Sequence, residues 1–275
     1  FRSVKNIKML KFISFGSGSC GNCYYIYTEE TGLIIDVGIG FRRIKKYFLD
    51  YGLSMQHIKN ILITHDHADH VKAVGALSNT LGLPVYATKQ VHEGIKRNYC
   101  VKKKIDAEHI RYLNTNENLV LDDFDIKVFK VPHDSLENVG FSIKYKDTTF
   151  CIMTDIGHVT EEMSQAIGDA DYLIIEANHD EEMLKAGPYP EHLKRRINSE
   201  NGHLSNKQCA KAISNFATEK LKHVWLCHLS QENNHPELAR KTVEIEFMNS
   251  QRIDTTAIKI DVLKRSAPCD ICELR

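Results

Sequence analysis

The sequence predicts a mixed α/β (α+β) domain built as a four-layer αββα sandwich. Strand-like apolar runs alternate with helical stretches at both ends of the chain, whereas residues 110–154 read as consecutive strands. A length of 275 residues with 42% hydrophobic content supplies ample material for a core and favours one domain over two. That domain is expected over residues 9–265. Met9 immediately precedes the first strand-like run, so residues 1–8 read as an upstream extension and 266–275 as a frayed tail.

Taken in order, Lys11 to Phe15 is a strand, Gly16 to Gly21 a Gly/Ser turn and Asn22 to Thr28 the returning strand. Such a turn can bind phosphate through its N–H groups, but it lacks the Lys-Ser/Thr ending of a P-loop, and hairpin geometry is the simpler cause. Leu33-Ile34-Ile35-Asp36 is a buried strand ending in a carboxylate. Phe41, Ile44, Phe48 and Leu49 then mark one face of a helix whose other face is basic. Ile61-Leu62-Ile63 is a further buried strand, followed by a helix with Val74, Leu77 and Leu81 on one side. Pro84 to Ala87 is a strand, and Lys89 to Asn98 a weak helical pattern.

The strand run comprises Ile110 to Leu113, Phe124 to Lys130, Val139 to Tyr145 and Thr148 to Thr154, with Lys146-Asp147 as a short turn. Thr160 reads as an N-cap with Glu161 and Glu162 in the first turn. Tyr172 to Glu176 is a buried strand. Asp180 to Ile197 is helical but broken at Gly187-Pro188-Tyr189-Pro190. Ser205-x-x-Gln208 is a capping box that opens a helix and places His203 just ahead of it. His223 to Cys227 is a strand ending in His228, Pro236 starts the last long helix, and Ala257 to Val262 is a final strand.

Lys plus Arg (36) balance Asp plus Glu (36), so any polyanion site must be a local patch rather than an overall field. Three such patches stand out: Arg42, Arg43, Lys45 and Lys46; Lys102, Lys103 and Lys104; and Lys194, Arg195 and Arg196. No apolar run approaches the roughly 18 residues of a membrane span, and the start lacks a secretory apolar core; a soluble, cytoplasmic protein with no membrane partner is expected. The eight cysteines are scattered, mostly in apolar runs, as unlinked thiols of a reduced compartment would be. Cys20-x-x-Cys23 and Cys269-x-x-Cys272 would form a four-thiolate zinc site only if the ends of the chain met.

Chemistry concentrates in Thr64-His65-Asp66-His67-Ala68-Asp69-His70, on a strand-to-helix loop. Its His-x-His-x-Asp-His spacing supplies two ligand sets facing adjacent metal ions, His65 and His67 one way, Asp69 and His70 the other. Three further strand ends carry His133, Asp155 and His228. N and O donors of this kind suit Zn²⁺, Mn²⁺ or Fe without choosing among them.

These motifs, in this order, resemble the metallo-β-lactamase superfamily, whose fold is the αββα sandwich with two metal ions at one edge. The resemblance implies that His65, His67 and His133 bind one ion, that Asp69, His70 and His228 bind the other, and that Asp155 bridges them. It also implies that Asp36 steadies a ligating histidine and that Asp69 belongs to the catalytic group. Members with Cys at the bridging position favour β-lactams; Asp there resembles the phosphodiesterase, thioester and lactone branches. Glu176 and His203 resemble a pair in ribonuclease Z and are expected to relay a proton to the leaving oxygen.

Several stretches are more specific: Lys11 to Ser19, Asn98-Tyr99-Cys100, Met153 to Thr160, Gly202 to Asn206 and Leu226 to Pro236 resemble the YycJ/WalJ group. That group is described as 5′-to-3′ DNA exonucleases with a role in mismatch repair. The resemblance therefore implies a dinuclear-metal-dependent phosphodiesterase acting on DNA ends, with the basic patches as phosphate contacts. The same metals would serve a hydrolase of small esters, thioesters or cyclic phosphodiesters. A metal-bound regulatory module without catalysis fits least, because the ligand set is complete.

Overall fold

The computed structural model describes residues 9–250 and 252–275, so the upstream extension expected at 1–8 lies outside the described residues. The first half of the chain supplies β1 (Leu10–Gly16), β2 (Cys23–Tyr27), β3 (Gly32–Ile35), β4 (Ile58–Leu62), β5 (Val85–Thr88) and β6 (Ile110–Leu113). The second supplies β7 (Asn118–Leu121), β8 (Phe124–Lys130), β9 (Val139–Tyr145), β10 (Thr148–Met153), β11 (Tyr172–Glu176), β12 (His223–Cys227) and β13 (Lys259–Val262), and β14 (Cys272–Leu274) closes the chain. They form two seven-stranded sheets, ordered β14-β1-β2-β3-β4-β5-β6 and β13-β12-β11-β10-β9-β8-β7.

Each sheet is antiparallel on one side and parallel on the other: β1 to β3 and β7 to β10 run as antiparallel meanders, while β3 to β6 and β10 to β13 are parallel. The sequence reflects this division. The parallel strands β11 and β12 are buried at every position, whereas β8 alternates buried and exposed over its first residues.

Helices cover both outer faces. Ile44 and Phe48 of α1 (Phe41–Asp50) pack on the first sheet, followed along the chain by the single turn α2 (Ala68–Val71). Val74 and Leu77 of α3 (Val74–Leu81) and Val91 and Ile95 of α4 (Lys89–Arg97) complete that layer. On the second sheet, α5 (Glu161–Asp169) buries Met163 and Ile167. The short α6 (Glu181–Ala186) and α7 (Glu191–Ile197) flank the break at Gly187 to Pro190, and α8 (Asn206–Phe216) and α9 (Pro236–Ser250) bury Ile213 and Val243. The Thr160 cap and the Ser205/Gln208 capping box are both formed. Between the sheets lies an aromatic core. The four-layer αββα sandwich is the fold.

Trp225 anchors that inner core: its ring lies 4.9 Å from Phe12 across the sheets, 6.4 Å from Phe150 and 3.8 Å from the stacked His223. No described helix is long and apolar enough to cross a membrane.

Two strands were not expected from the pattern. β7 is an edge strand with a mostly exposed face, so its sequence carries little hydrophobic alternation. The tail, read as frayed, instead forms β14: Leu10, Lys11 and Phe12 pair with Leu274, Glu273 and Cys272, and Leu274 is buried. A three-residue strand is too short to announce itself by periodicity. The Cys-x-x-Cys pairs form no metal-ligating group among the described residues, and all eight cysteines are free. Cys269 instead accepts a hydrogen bond from the Ser14 N–H at 3.1 Å.

Because Trp225 is fully buried and touches both sheets, Trp225→Ala should cost about 3–5 kcal/mol of unfolding free energy, read by urea denaturation. A change below about 1 kcal/mol, on the order of an exposed-site substitution, would mean that the inner core does not rest on this ring.

Candidate metal centre

The carboxyl ends of the parallel strands meet at one edge of the sandwich, and there the backbone leaves its strand geometry. Asp36, Asp155 and His228, each just past the end of β3, β10 or β12, adopt φ of 59°, 57° and 54°. Left-handed backbone costs a non-glycine residue on the order of 1 kcal/mol or more, and such strain persists where the surroundings impose it. Here the surroundings are the cluster of His, Asp and Glu side chains itself.

Backbone contacts sew the edge together. Asn22 N–H donates to the Asp69 carbonyl at 2.7 Å, Val37 N–H to the His70 carbonyl at 2.6 Å and Gly38 N–H to the Asn22 carbonyl at 2.8 Å. Gly38 passes so close to this loop that a Cβ would lie 1.6 Å from the Asp69 carbonyl oxygen. Only glycine fits there.

The expected residues are brought together in overlapping groups. Potential ligand atoms of His65, His67 and His133 lie within 4.8 Å of one another, as do those of Asp69, His70 and His228. Asp155 belongs with His65 and His70 on one side and with Glu176, His203 and His228 on the other. It therefore faces both triads.

Hydrogen bonds settle which nitrogen of each ring is available. The Thr64 hydroxyl gives its one proton to Asp36 (2.8 Å), so it can only accept from His65 Nδ1 at 3.0 Å. His70 Nδ1 donates to Asp36 at 2.7 Å, His133 Nδ1 to the Gly202 carbonyl at 3.0 Å and His228 Nδ1 to Glu176 at 2.9 Å. In His65, His133 and His228 this leaves Nε2 for a ligand, the arrangement by which outer carboxylates and carbonyls orient metal-bound imidazoles, whereas Nε2 of His70 also faces the Asn22 amide. The Nε2 atoms of His65, His133 and His228 are buried without a hydrogen-bond partner. Orphaned buried nitrogens beside buried carboxylates are what a divalent cation would satisfy.

The field at this point favours positive charge. Burial works against a charged His228, yet Asp155, Asp69 and Glu176 lift it to about 10. Burial likewise opposes a charged His70, and Asp36, Asp155 and Asp69 carry it well above its ordinary value. A bound cation would take up the same field and displace the Nε2 protons.

Glu176 is fully buried at the end of β11, and both its oxygens are saturated. Oε2 accepts from the N–H groups of Ile156 (2.7 Å) and Leu204 (3.2 Å), and Oε1 from His203 Nδ1 (2.8 Å) and His228 Nδ1 (2.9 Å). Burial alone would raise its pKa; His203 and the hydrogen bonds from both rings hold it at about 2. Glu176 thus fixes the His203 ring and a potential ligand with one oxygen.

Sequence reasoning missed Asn22 and Asp134. The Asn22 amide oxygen accepts from Gly18 N–H at 2.8 Å, which aims its nitrogen at His70 Nε2, 2.8 Å away. Nothing in the turn sequence distinguishes that asparagine from an ordinary turn residue. Asp134 lies 3.3 Å from His133 Nε2 and 3.8 Å from His67 Nε2, and accepts from Arg196. Its position next to His133 was the available signal.

The basic patches divide. Arg196 reaches the cluster through Asp134, whereas Arg195 lines a separate cleft with Glu181 and Glu182. The loop carrying Lys102 to Lys104 is tied to the His65 loop by the Asn98 amide, which donates to the Asp66 carbonyl at 2.8 Å. Lys104 itself braces that loop, donating to the carbonyls of Asn98 (2.6 Å) and Ile95 (3.1 Å). Arg42 and Arg43 are exposed in the first turn of α1, Lys45 follows them, and Lys46 pairs with Asp50.

The beta-lactamase superfamily domain matches residues 32–228 of this sequence. The chain belongs to that superfamily. Within it, the chain is 33% identical over 219 residues to the exodeoxyribonuclease YycJ of Bacillus anthracis, covering 80% of this chain and 82% of the relative. It is 34% identical over 220 residues to the exodeoxyribonuclease WalJ of Streptococcus pneumoniae, covering 80% and 81%. It therefore sits in the YycJ/WalJ group of the superfamily and is a hydrolase. The metallo-beta-lactamase fold protein YhfI of Bacillus subtilis superposes with a TM-score of 0.70 at 17% identity, covering 97% of this chain and 100% of the other, a likeness of fold. Superfamily membership and the His/Asp groups together identify the edge as a centre for divalent metal ions.

Asp36 is buried and holds both Thr64 and His70, so Asp36→Asn should weaken metal retention by about 10–100-fold in a chelator competition. Retention equal to the unmodified protein would remove Asp36 from this role.

Proposed function

We propose that this chain is a dinuclear-metal-dependent phosphodiesterase that removes nucleotides from the 5′ end of DNA. The observation that carries the reading is a pair of adjacent ligand triads with Asp155 facing members of both, and the hydrogen-bonded Glu176–His203 pair at their side. His65, His67 and His133 would hold one ion, and Asp69, His70 and His228 the other. Zn²⁺ or Mn²⁺ suits these donors, and Fe matches them as well. Bound there, the ions would activate water near neutral pH and neutralise charge on the phosphoryl group under attack.

The remaining work falls to the chain's own groups. Asp155 fixes the spacing of the two triads. Glu176 keeps Nδ1 of His203 protonated and pointed inward, which leaves Nε2 of that ring to deliver a proton to the departing 3′ oxygen. Asp69, beside both His70 and His228, keeps the second triad anionic. Lys102 and Lys103 on the loop clamped to the metal loop, with Arg42, Arg43 and Arg196, are the phosphate contacts we assign; Arg195 lies apart from them.

The names of the YycJ and WalJ relatives support DNA as the polymer. The proposal carries with it the cytoplasmic location and the role in DNA repair that this resemblance implies.

Digestion of 5′-end-labelled linear duplex beside a covalently closed circle tests the reading. Release of nucleotides from the 5′ end with the circle intact is the expected result. Cutting of the circle at an equal rate would make the protein an endonuclease, and brisk thioester hydrolysis with neither DNA cut would make it a small-molecule hydrolase.

Two substitutions probe the parts separately. Asp155→Ala should lose both ions by elemental analysis, whereas His65→Ala should spare the second triad. His203→Ala should lower turnover by about 10²-fold or more with metal content intact. Unchanged turnover would take His203 out of the mechanism.

A further inference from the structure

Beside His203 and His228 opens a cavity of about 330 Å³ that extends past them to Ser19 and Arg265, which the reaction scheme leaves unused. Its lining includes the cations Arg265 and Arg196 and the acids Asp134 and Glu232, and Ser19 of the Gly/Ser turn lies next to Arg265. Tyr189 and Leu193 contribute apolar surface to the same lining. The two guanidinium groups differ. Arg196 is paired with Asp134, whereas Arg265 makes no ion pair among the described residues.

Arg265 is instead held by neutral acceptors. One Nη donates to the Leu229 carbonyl, and the other lies 3.3 Å from Ser19 Oγ and 3.4 Å from Gln231 Oε1. Its backbone is also fixed, because the Arg265 carbonyl accepts from Ser17 N–H at 3.2 Å and the Ser17 hydroxyl accepts from His228 N–H at 3.1 Å. The guanidinium is therefore preorganised relative to His228, and its charge has no counter-ion among the described residues. Glu232 shares the cavity lining and makes no ion pair with it.

A cavity of this size stands at the small end of ligand pockets, which run from about 300 to 1,000 Å³. Its volume has room for about one nucleotide, and Tyr189 in the lining offers a ring to the base or sugar. Because His203 and His228 line the cavity, a polynucleotide can lie with its end in it and its scissile phosphodiester beside those two rings. The remaining phosphate on that last nucleotide is the terminal one. A phosphate monoester carries about −1.5 to −2 charge, more than the single charge of a diester, and a planar guanidinium matches its oxygens in a fork.

We propose that Arg265 and Ser19 form a subsite for the 5′-terminal phosphate monoester of a polynucleotide, so that the protein prefers phosphorylated over hydroxyl ends. The proposal rests on the nuclease reading for the identity of the polymer. The subsite itself is defined by the cavity and its unpaired cation.

Two measurements test it. On linear duplexes that differ only in a 5′ phosphate or 5′ hydroxyl, the unmodified protein should degrade the phosphorylated end about tenfold faster or more. In Arg265→Gln the ratio of the two rates should fall towards one, and in Arg265→Lys it should be intermediate, since charge is kept and the fork is lost. The ratio is taken within one preparation, so it is independent of the fraction of each variant that folds. A ratio of one in the unmodified protein, or an unchanged ratio in Arg265→Gln, overturns the proposal.

The second measurement needs no turnover: calorimetric titration of the metal-loaded protein with dAMP and with deoxyadenosine. Binding of dAMP at least about tenfold tighter, lost in Arg265→Gln, supports the subsite even if DNA is not degraded, in which case the nuclease reading alone fails. Equal binding of the two, or a dAMP preference that survives Arg265→Gln and so belongs to the metal ions alone, overturns the subsite.

Discussion

Burying carboxylates side by side is the constraint on which this molecule turns. Asp36, Asp155 and Glu176 are all within 2% of complete burial, and Asp69 lies beside them. In an apolar interior such a grouping is prohibitive unless every oxygen finds donors or a cation. The strand ends supply the donors: Thr64 and His70 for Asp36, and two backbone N–H groups and two imidazoles for Glu176. Both sheets must end at the same place for this to occur. The left-handed residues at their ends and the contact-distance approach of Gly38 to Asp69 follow from that requirement.

How much of this was legible in the sequence depended on the kind of signal. The parallel strands were plain because burial on both faces makes them continuous apolar runs, and the caps of α5 and α8 were plain because Thr160 and Ser205 precede the right partners. The histidines and Asp155 could be read because they sit at strand ends in a recognisable order. Asn22 could not. Its importance lies in an amide orientation imposed by Gly18, a contact that leaves no periodicity and no charge. β7 and β14 were missed because short edge strands bury little, and Arg265 because a lone arginine near a predicted domain boundary looks like solvated surface until its neighbours are known.

The charge balance has a similar lesson. A net charge of zero says only that the chain has no overall field. Locally, the carboxylate-rich edge is flanked by cations with different duties: Arg196 neutralises Asp134, Lys104 braces a loop and Arg265 is held by uncharged acceptors. Like charges in one sequence thus serve as counter-ion, strut and open positive charge, and only the partner separates them.

The pairing of β14 with the start of β1 bears on the molecule's behaviour in crowded solution. β1 is otherwise the outermost strand of its sheet, and Phe12 and Leu10 on it are almost wholly buried. An uncovered row of N–H and C=O groups next to such side chains is a template on which another chain can add, the first step towards aggregation. The last few residues act as a stopper for that edge. A segment that reads as a frayed tail therefore covers an edge on which another chain could otherwise add.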